Sequence, residues 1–426
     1  MPASSAIIRA DAGNRSRCPF AMELAVKHVI VVPDGMADRP VARLGDRTPM
    51  EAAAKPNMDK VALAGRLGLV CHTPASLPPG SDVAMLSVLG YDPTECYTGR
   101  APLEAASMGI DIGPREIAFR CNLVTVDADT LVDHSAGHIS TREAAVLVDL
   151  LSRELGDETI RFYPGVGYRH LLVYRGPERI AAECTPPHDM LDQPIGPHLP
   201  RGQGAEILIQ LMQRSRGLLA PHEINDVRID LGENPANMIW LWGGGMRPQL
   251  APFAERYGTR GAVVAAVDLV RGIAASVGLD VIRVEGATGY IQTNYAGKGQ
   301  AAIEALDRYD FVFVHIEAPD EAGHQGNVQA KVDAIEAIDK HIVGPLLDAL
   351  EARGAYRLLV MPDHPTPLEI RTHVGDPVPF AYCGSDVREP SGLRFTEANA
   401  AATGLRVDPG HRLLGLFLKS MEHKVL

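Results

Sequence analysis

The stretch YDFVFVHIEAPDEAGHQGN (residues 309–327) decides the reading of this chain. An apolar run, FVFV, has the pattern of a buried strand. It leads into a segment rich in Gly and Ala that places Asp320 and His324 four residues apart. At that spacing a carboxylate and an imidazole can point the same way. Other runs repeat the theme of a short apolar segment closed by a turn: HVIVVPDG (28–35), GRLGLVCHTP (65–74) and YRLLVMPDH (356–364). Helical patterns separate them, among them PPGSDVAMLSVLGYDP (78–93) and a long amphipathic segment, VQAKVDAIEAIDKHIVGPLLDAL (328–350). The segment RGAVVAAVDLVRGIAASVGLDVIRV reads as strand, helix, strand. This alternation predicts an α/β core, a mostly parallel sheet covered by helices on both faces.

The middle of the chain has a different texture. REIAFRCNLVTVD, TLVDHSAGHIS, IRFYPGV and YRHLLVYRG are short strand-like runs around one helical stretch, TREAAVLVDLLSREL. Residues 186–202 are rich in Pro and His and read as loop, and a helical GAEILIQLMQRS follows. The expected division is a core over 27–111 and 229–426, with NMIWLWGGG as its first returning strand, and a smaller inserted α+β domain over 112–228. Residues 1–26 read as a disordered or overlong extension; a second methionine, Met22, precedes the first ordered pattern.

The 426 residues suit two domains. Hydrophobic residues make up 46% and charged residues 22%, enough for a packed core and unlike a disordered chain. A net charge of −12 disfavours nucleic acid and anionic membranes as partners, because both call for a basic face. No apolar run reaches the roughly 18 residues of a membrane span, and the N-terminus lacks the apolar core of a secretory signal. Six scattered cysteines without a C-x-x-C pair are no disulfide framework and fit reduced thiols in a cytoplasmic protein.

Several expected strands end in potential ligands. VVPDG ends in Asp34, and VFVHIEAPD ends in Asp320 with His324 after it. LLVMPDH ends in Asp363 and His364, with His373 following in RTHVGD. Ligands of α/β sheets bind beyond the carboxyl ends of the strands, so these residues can converge. Each alone has a plain alternative, a turn or a local cap. Together, buried carboxylates repel unless a cation compensates them. Mixed Asp and His donors suit borderline ions such as Zn²⁺ or Mn²⁺. Three Asp and three His exceed one tetrahedral shell and suit two ions about 3.5–4 Å apart, an arrangement that serves phosphoryl transfer. Ser81, at the start of a helical pattern after PPG, is the candidate nucleophile, since a helix N-terminus favours an anion. The alternative is an N-cap, unless Asp82 caps and leaves Ser81 free.

These segments, with TGRAPLEAASMGI, VGYRHLLV, NPANMIWLWGGG, TNYAGKG and PDHPTP, run from about residue 27 to 379. In them the chain resembles the archaeal-type branch of the cofactor-independent phosphoglycerate mutases, within the alkaline phosphatase superfamily. The resemblance implies an alkaline-phosphatase-like core with an inserted substrate-binding domain. It implies two divalent ions, Mn²⁺ or Zn²⁺ and in some members Mg²⁺ or Co²⁺. Asp320, His324 and His373 would hold one ion; Asp34, Ser81, Asp363 and His364 would hold the other. Ser81 would carry the phosphoryl group between the two hydroxyls of glycerate. Lys298 would lie near that group, with Arg169 and His170 contacting the substrate from the insert. Arg100, His134, His138, His188 and Asp189 are further polar candidates, with loop-ordering roles favoured for the last four. The partner implied is a small phosphorylated metabolite, the chain a monomer or small homo-oligomer. A homoserine kinase, a phosphatase or a phosphonoacetate-type hydrolase on the same scaffold stays open, although no Walker-type loop or kinase signature is present. So does a non-catalytic metal-binding protein.

Overall fold

The computed structural model describes residues 26–419, so the extension expected over 1–26 lies outside the described residues except for Val26. The first strands are β1 (Lys27–Pro33), β2 (Arg66–Val70), β3 (Ile117–Asp127), β4 (Thr130–Asp133), β5 (Ile160–Val166), β6 (Arg169–Tyr174), β7 (Ala181–Glu183) and β8 (Arg201–Gln203). They are followed by β9 (Met238–Met246), β10 (Gly261–Val264), β11 (Asp280–Ile282), β12 (Phe311–Ile316), β13 (Tyr356–Val360), β14 (Val378–Gly384) and β15 (Arg406–Val407).

The larger sheet has the order β11-β10-β12-β1-β13-β14-β2-β15. Its strands pair in parallel except β14, which runs antiparallel to both neighbours. Alternation along β1 explains the layers: successive strand residues face opposite sides. Val29 and Val31 join a core with the helices Pro56–Ala64, Tyr295–Ala305, Val328–Ile338 and Gly344–Arg353. Ile30 and Val32 join a second core with Ser81–Val88, Asp268–Ser276 and Arg412–Lys419. Both faces are therefore covered, which is why these strands read as continuous apolar runs. This is the α/β architecture expected from the sequence.

The smaller sheet is built on β3, which pairs antiparallel with β4, β6 and β9. The helices Thr141–Glu154 and Ala205–Leu219 cover one face. The other face, with Ala118, Leu171 and Val173, packs on Ala101 and Ala105 of the helix Ala101–Ser107. Here the structure corrects two readings. NMIWLWGGG was expected to open the second half of the core; as β9 it joins the smaller sheet, which extends past residue 228. An apolar run carries no mark of the sheet it belongs to. The helix expected over 328–350 is likewise broken, at a π-helical turn, Asp339–Val343. Pro345 has no N–H to continue the ladder. Asp339 instead accepts from the Asn57 and Met58 N–H groups, at 3.2 and 2.7 Å, and caps the helix Pro56–Ala64. Among the described residues no helix is long and apolar enough to cross a membrane, and Cys71, Cys96, Cys121, Cys184 and Cys383 are free.

Candidate metal-binding and anion-binding site

β12, β1 and β13 are adjacent and parallel, so their carboxyl ends open side by side. Asp34 follows β1, the helix Ala318–His324 with Asp320 follows β12, and Asp363 and His364 follow β13. The chain between β13 and β14 then delivers His373. Asp34, Asp320, Asp363 and His364 are buried, whereas His324 and His373 are partly exposed.

Two groups of donors form. In the first, His324 Nε2 stands 3.1 Å from Asp320 Oδ2, and His373 Nε2 stands 3.4 Å from Asp320 Oδ1. The two Nε2 atoms are 2.9 Å apart. His324 Nδ1 lies 3.0 Å from the Arg371 carbonyl, an acceptor, so Nδ1 bears a proton and Nε2 is the nitrogen turned inward, the one a cation would take. Burial opposes a charged His324, but its hydrogen bond to Asp320 and the charge there outweigh this and raise it to about 9. Asp320 is held well below the usual carboxylate range; burial works the other way and is overcome by the bonds to His324 and His373.

In the second group, His364 Nε2 lies 3.6 Å from Asp34 Oδ1 and 3.2 Å from Asp363 Oδ2. It is also 3.1 Å from Ser81 Oγ. Ser81 opens the helix Ser81–Val88, whose cap position is Gly80. Asp82 takes the Val83 N–H at 3.0 Å, so the serine hydroxyl is not used in capping. The Thr366 hydroxyl donates to Asp320 and lies 3.3 Å from His364 Nδ1, tying the two groups together.

The charge balance suits divalent cations. Burial, followed by Asp363, Glu317 and Asp320, pushes Asp34 well above the ordinary carboxylate value. Asp34 Oδ1 and Asp363 Oδ2 are buried without a hydrogen-bond partner. Unpaired carboxylate oxygens beside inward-facing imidazole nitrogens are the donor chemistry a divalent cation satisfies. Asp320, His324 and His373, and separately Asp34, Asp320 and His364, each bring ligand atoms within 4.8 Å of one another. The residues present fit bound divalent metal.

Two residues of the cluster escaped the sequence reading. His315, buried in β12, has Nε2 2.7 Å from Asp34 Oδ2 and 3.6 Å from Glu317 Oε2. Burial, helped by Asp320 and Asp363, pushes Glu317 up to about 8. The available signal was a histidine inside an otherwise apolar strand. Lys298, fully buried, donates to the His315 carbonyl at 3.1 Å, and burial lowers it to about 8.

Beside the cluster lies a cavity of about 350 Å³ between the two sheets. Glu317 and Glu321 line it from the core, and Arg169 and His170 line it from β6. Arg100 and Arg120 complete it, sharing Glu104: Arg100 Nε donates to Oε1 at 3.1 Å and Arg120 Nε to Oε2 at 2.9 Å. Arg120 also stacks on Trp242, 4.2 Å from the ring centre. His170 Nδ1 accepts from the Gly165 N–H at 3.0 Å, which leaves its Nε2 proton unpartnered. Arg120 and Glu104 were not singled out from the sequence. His134 and His188 form an edge-to-face series of rings reaching Trp242, outside the carboxylate cluster. His138 has its backbone N–H bonded to Ser135 Oγ, and Asp189 stands 3.8 Å from His188.

Comparison with known proteins identifies relatives of this chain. Residues 62–225 match the family model described as 2,3-bisphosphoglycerate-independent phosphoglycerate mutase. The mutase of that name from Methanosarcina mazei is 48% identical over 397 residues, covering 93% of this chain and all of the relative. The one from Methanothrix thermoacetophila is 51% identical over 394 residues, covering 92% of this chain and all of the relative. Among solved structures, a Pyrococcus horikoshii protein superposes with a TM-score of 0.78 at 33% identity, covering 95% of this chain and all of the other. The cofactor-independent phosphoglycerate mutase of Thermoplasma acidophilum does so with a TM-score of 0.64 at 28% identity, covering 92% of this chain and 99% of the other. Identity of this order over the full length of the relatives leaves one assignment: the chain belongs to the 2,3-bisphosphoglycerate-independent phosphoglycerate mutase family.

Proposed function

We propose that this protein interconverts 3-phosphoglycerate and 2-phosphoglycerate through a phosphorylated Ser81, with two divalent cations and no bisphosphoglycerate. The observation that carries the proposal is the position of Ser81. Its hydroxyl heads a helix, free of capping duty, 3.1 Å from His364 in a cluster where Asp34 and Asp363 each keep one carboxylate oxygen without a partner. Asp320, His324 and His373 would hold one cation; Asp34, Ser81, Asp363 and His364 would hold the other. Mixed oxygen and imidazole donors suit Mn²⁺ or Zn²⁺, with Mg²⁺ and Co²⁺ as further candidates. Bound there, such ions lower the pKa of the serine hydroxyl and offset charge on the phosphoryl oxygens.

The remaining work falls to protein groups. Ser81 Oγ gives up its proton and attacks the phosphorus as the bond to glycerate O3 breaks, and O3 takes up one proton. The glycerate turns, O2 gives up its proton and attacks the phosphoserine, and the released Ser81 Oγ takes up one proton, which restores the hydroxyl. Arg100, Arg120 and Arg169 offer planar guanidinium groups to the carboxylate during the turn. Lys298 supplies a buried positive charge under the reacting group. We assign 112–246 as a unit that closes over the core and limits loss of the phosphoryl group to water.

The test is an assay coupled to enolase, with Mn²⁺ present and bisphosphoglycerate absent. Enolase signal from 3-phosphoglycerate supports the proposal, and silence there with turnover of ATP and homoserine transfers the site to a kinase reaction.

A further inference from the structure

We infer that His315 is a positioning residue: its Nε2–H holds one oxygen of Asp34 so that the other is presented to a cation. The inference rests on the proposed role of Asp34 as a ligand. His315 lies on β12, and Asp34 lies just past the end of its paired neighbour β1. Val32 is in register with His315, and the Asp34 N–H donates to the Ile316 carbonyl at 2.9 Å. Both side chains are fully buried.

The hydrogen-bond pattern divides the Asp34 carboxylate in two. Oδ2 is 2.7 Å from His315 Nε2, while Oδ1 is unpartnered and 3.6 Å from His364 Nε2. The ionised carboxylate that a cation binds can only accept, so with Asp34 as a ligand the proton of this bond sits on His315 Nε2. That fixes the tautomer and leaves Nδ1 bare, in agreement with its lack of a partner. Lys298 pins the same residue by its backbone carbonyl. With Oδ2 occupied, Asp34 can bind in one sense only, with a single oxygen turned to His364 and Asp363. Groups that orient a ligand in this way govern metal affinity without touching the metal.

Two amides of the same chemistry separate this role from a merely structural one. In His315→Gln the amide nitrogen reaches the place of Nε2, and in His315→Asn it stops near the place of Nδ1, out of reach of Asp34. Mn²⁺ binding to metal-free protein is measured by titration calorimetry, and ion content by elemental analysis. H315N is expected to weaken Mn²⁺ binding about 10–100-fold and H315Q to stay within about threefold of the parent, the range seen when outer-shell partners are lost or kept. The thermal midpoint of the metal-free protein, measured alongside, is expected to differ little between the two amides.

Equal Mn²⁺ affinity in the two variants overturns the inference. So does a stoichiometry one ion lower in both, because His315 would then itself be a ligand in a group with Asp34 and Glu317. A parent protein that takes up no Mn²⁺ fails for a different reason, the loss of the metal site proposed above, and is recognised before either variant is made.

Discussion

Gly35→Ala is the sharpest probe of how tightly the cluster is built. Gly35 follows Asp34 with φ of +60°. A Cβ there would stand 2.5 Å from Thr366 Oγ1, 2.6 Å from Asp320 Oδ1 and 2.8 Å from Asp320 Cα. The left-handed conformation costs a non-glycine residue about 1–2 kcal/mol. Overpacking a filled site adds about 1–3 kcal/mol, so the expected loss is about 2–5 kcal/mol. No cheap relaxation exists. Rotating Thr366 breaks its bond to Asp320, and moving Asp320 displaces the backbone of the helix Ala318–His324. Gly45 is the internal control, with φ of +68° and nothing within 4 Å of its missing Cβ. Gly45→Ala should therefore show only the backbone cost, about 1–2 kcal/mol. Chemical denaturation of both metal-free variants yields the two losses on one scale. Since Asp320 must yield in G35A, Mn²⁺ affinity should fall there and stay at the parent value in G45A. Should G35A prove no less stable than G45A, or bind Mn²⁺ like the parent, the steric reasoning is wrong.

Ser81→Ala should lower turnover on the order of 10⁴-fold or more, the scale on which loss of a covalent nucleophile is felt. It removes one hydrogen bond and should cost only about 0.5–1.5 kcal/mol; the coupled assay and a melt of the same sample check both, and retained turnover would take Ser81 out of the reaction. Glu104→Gln leaves Arg100 and Arg120 without their shared counter-ion, at about 1–3 kcal/mol after allowing for partial exposure of Arg100. Burial alone would raise Glu104, but Arg120 and then Arg100 hold it below its ordinary 4.5. Its stabilisation is therefore complete above pH 4.5 and lost as pH falls through the lower folded value, so the stability gap between parent and E104Q should close in acid. Burial lowers Lys298 to about 8, so its charge drains away above pH 8. If that charge serves the reaction, kcat/KM should bend downward near pH 8, and the residual activity of Lys298→Met should lack that limb.

The sequence carried the strand ends well and the pairings poorly. Asp34, Asp320, Asp363 and His364 stand out because each follows an apolar run at the point where the chain must turn, and a turn alone gives no reason for a carboxylate. His315 stayed hidden because a histidine flanked by Phe, Val and Ile reads as core. Only its register against β1 shows that it faces Asp34. Arg120 was hidden for the same reason, in the strand IAFRCNLVTVD. Its partner Glu104 lies on a helix of the core, and the contact exists only because the smaller sheet packs on that helix. The placement of β9 failed on the same ground, since sheet membership is a long-range choice.

The convergence on one edge depends on a feature that no single segment displays. β12, β1 and β13 are neighbours and parallel, so the turns after them fall together without special placement. Ser81 follows β2, separated from β13 by β14. Had β14 been parallel, the chain leaving β13 would have crossed to the opposite edge before it could begin. Because β14 is antiparallel to both neighbours, it starts at the edge where β13 and β2 end. The connection over 361–377 therefore runs along the carboxyl edge, from Asp363 to His373, and spans the gap to Ser81. One reversed strand turns what would be a crossover into a ligand-bearing ribbon, and His364 on that ribbon is the residue that meets Ser81 at 3.1 Å.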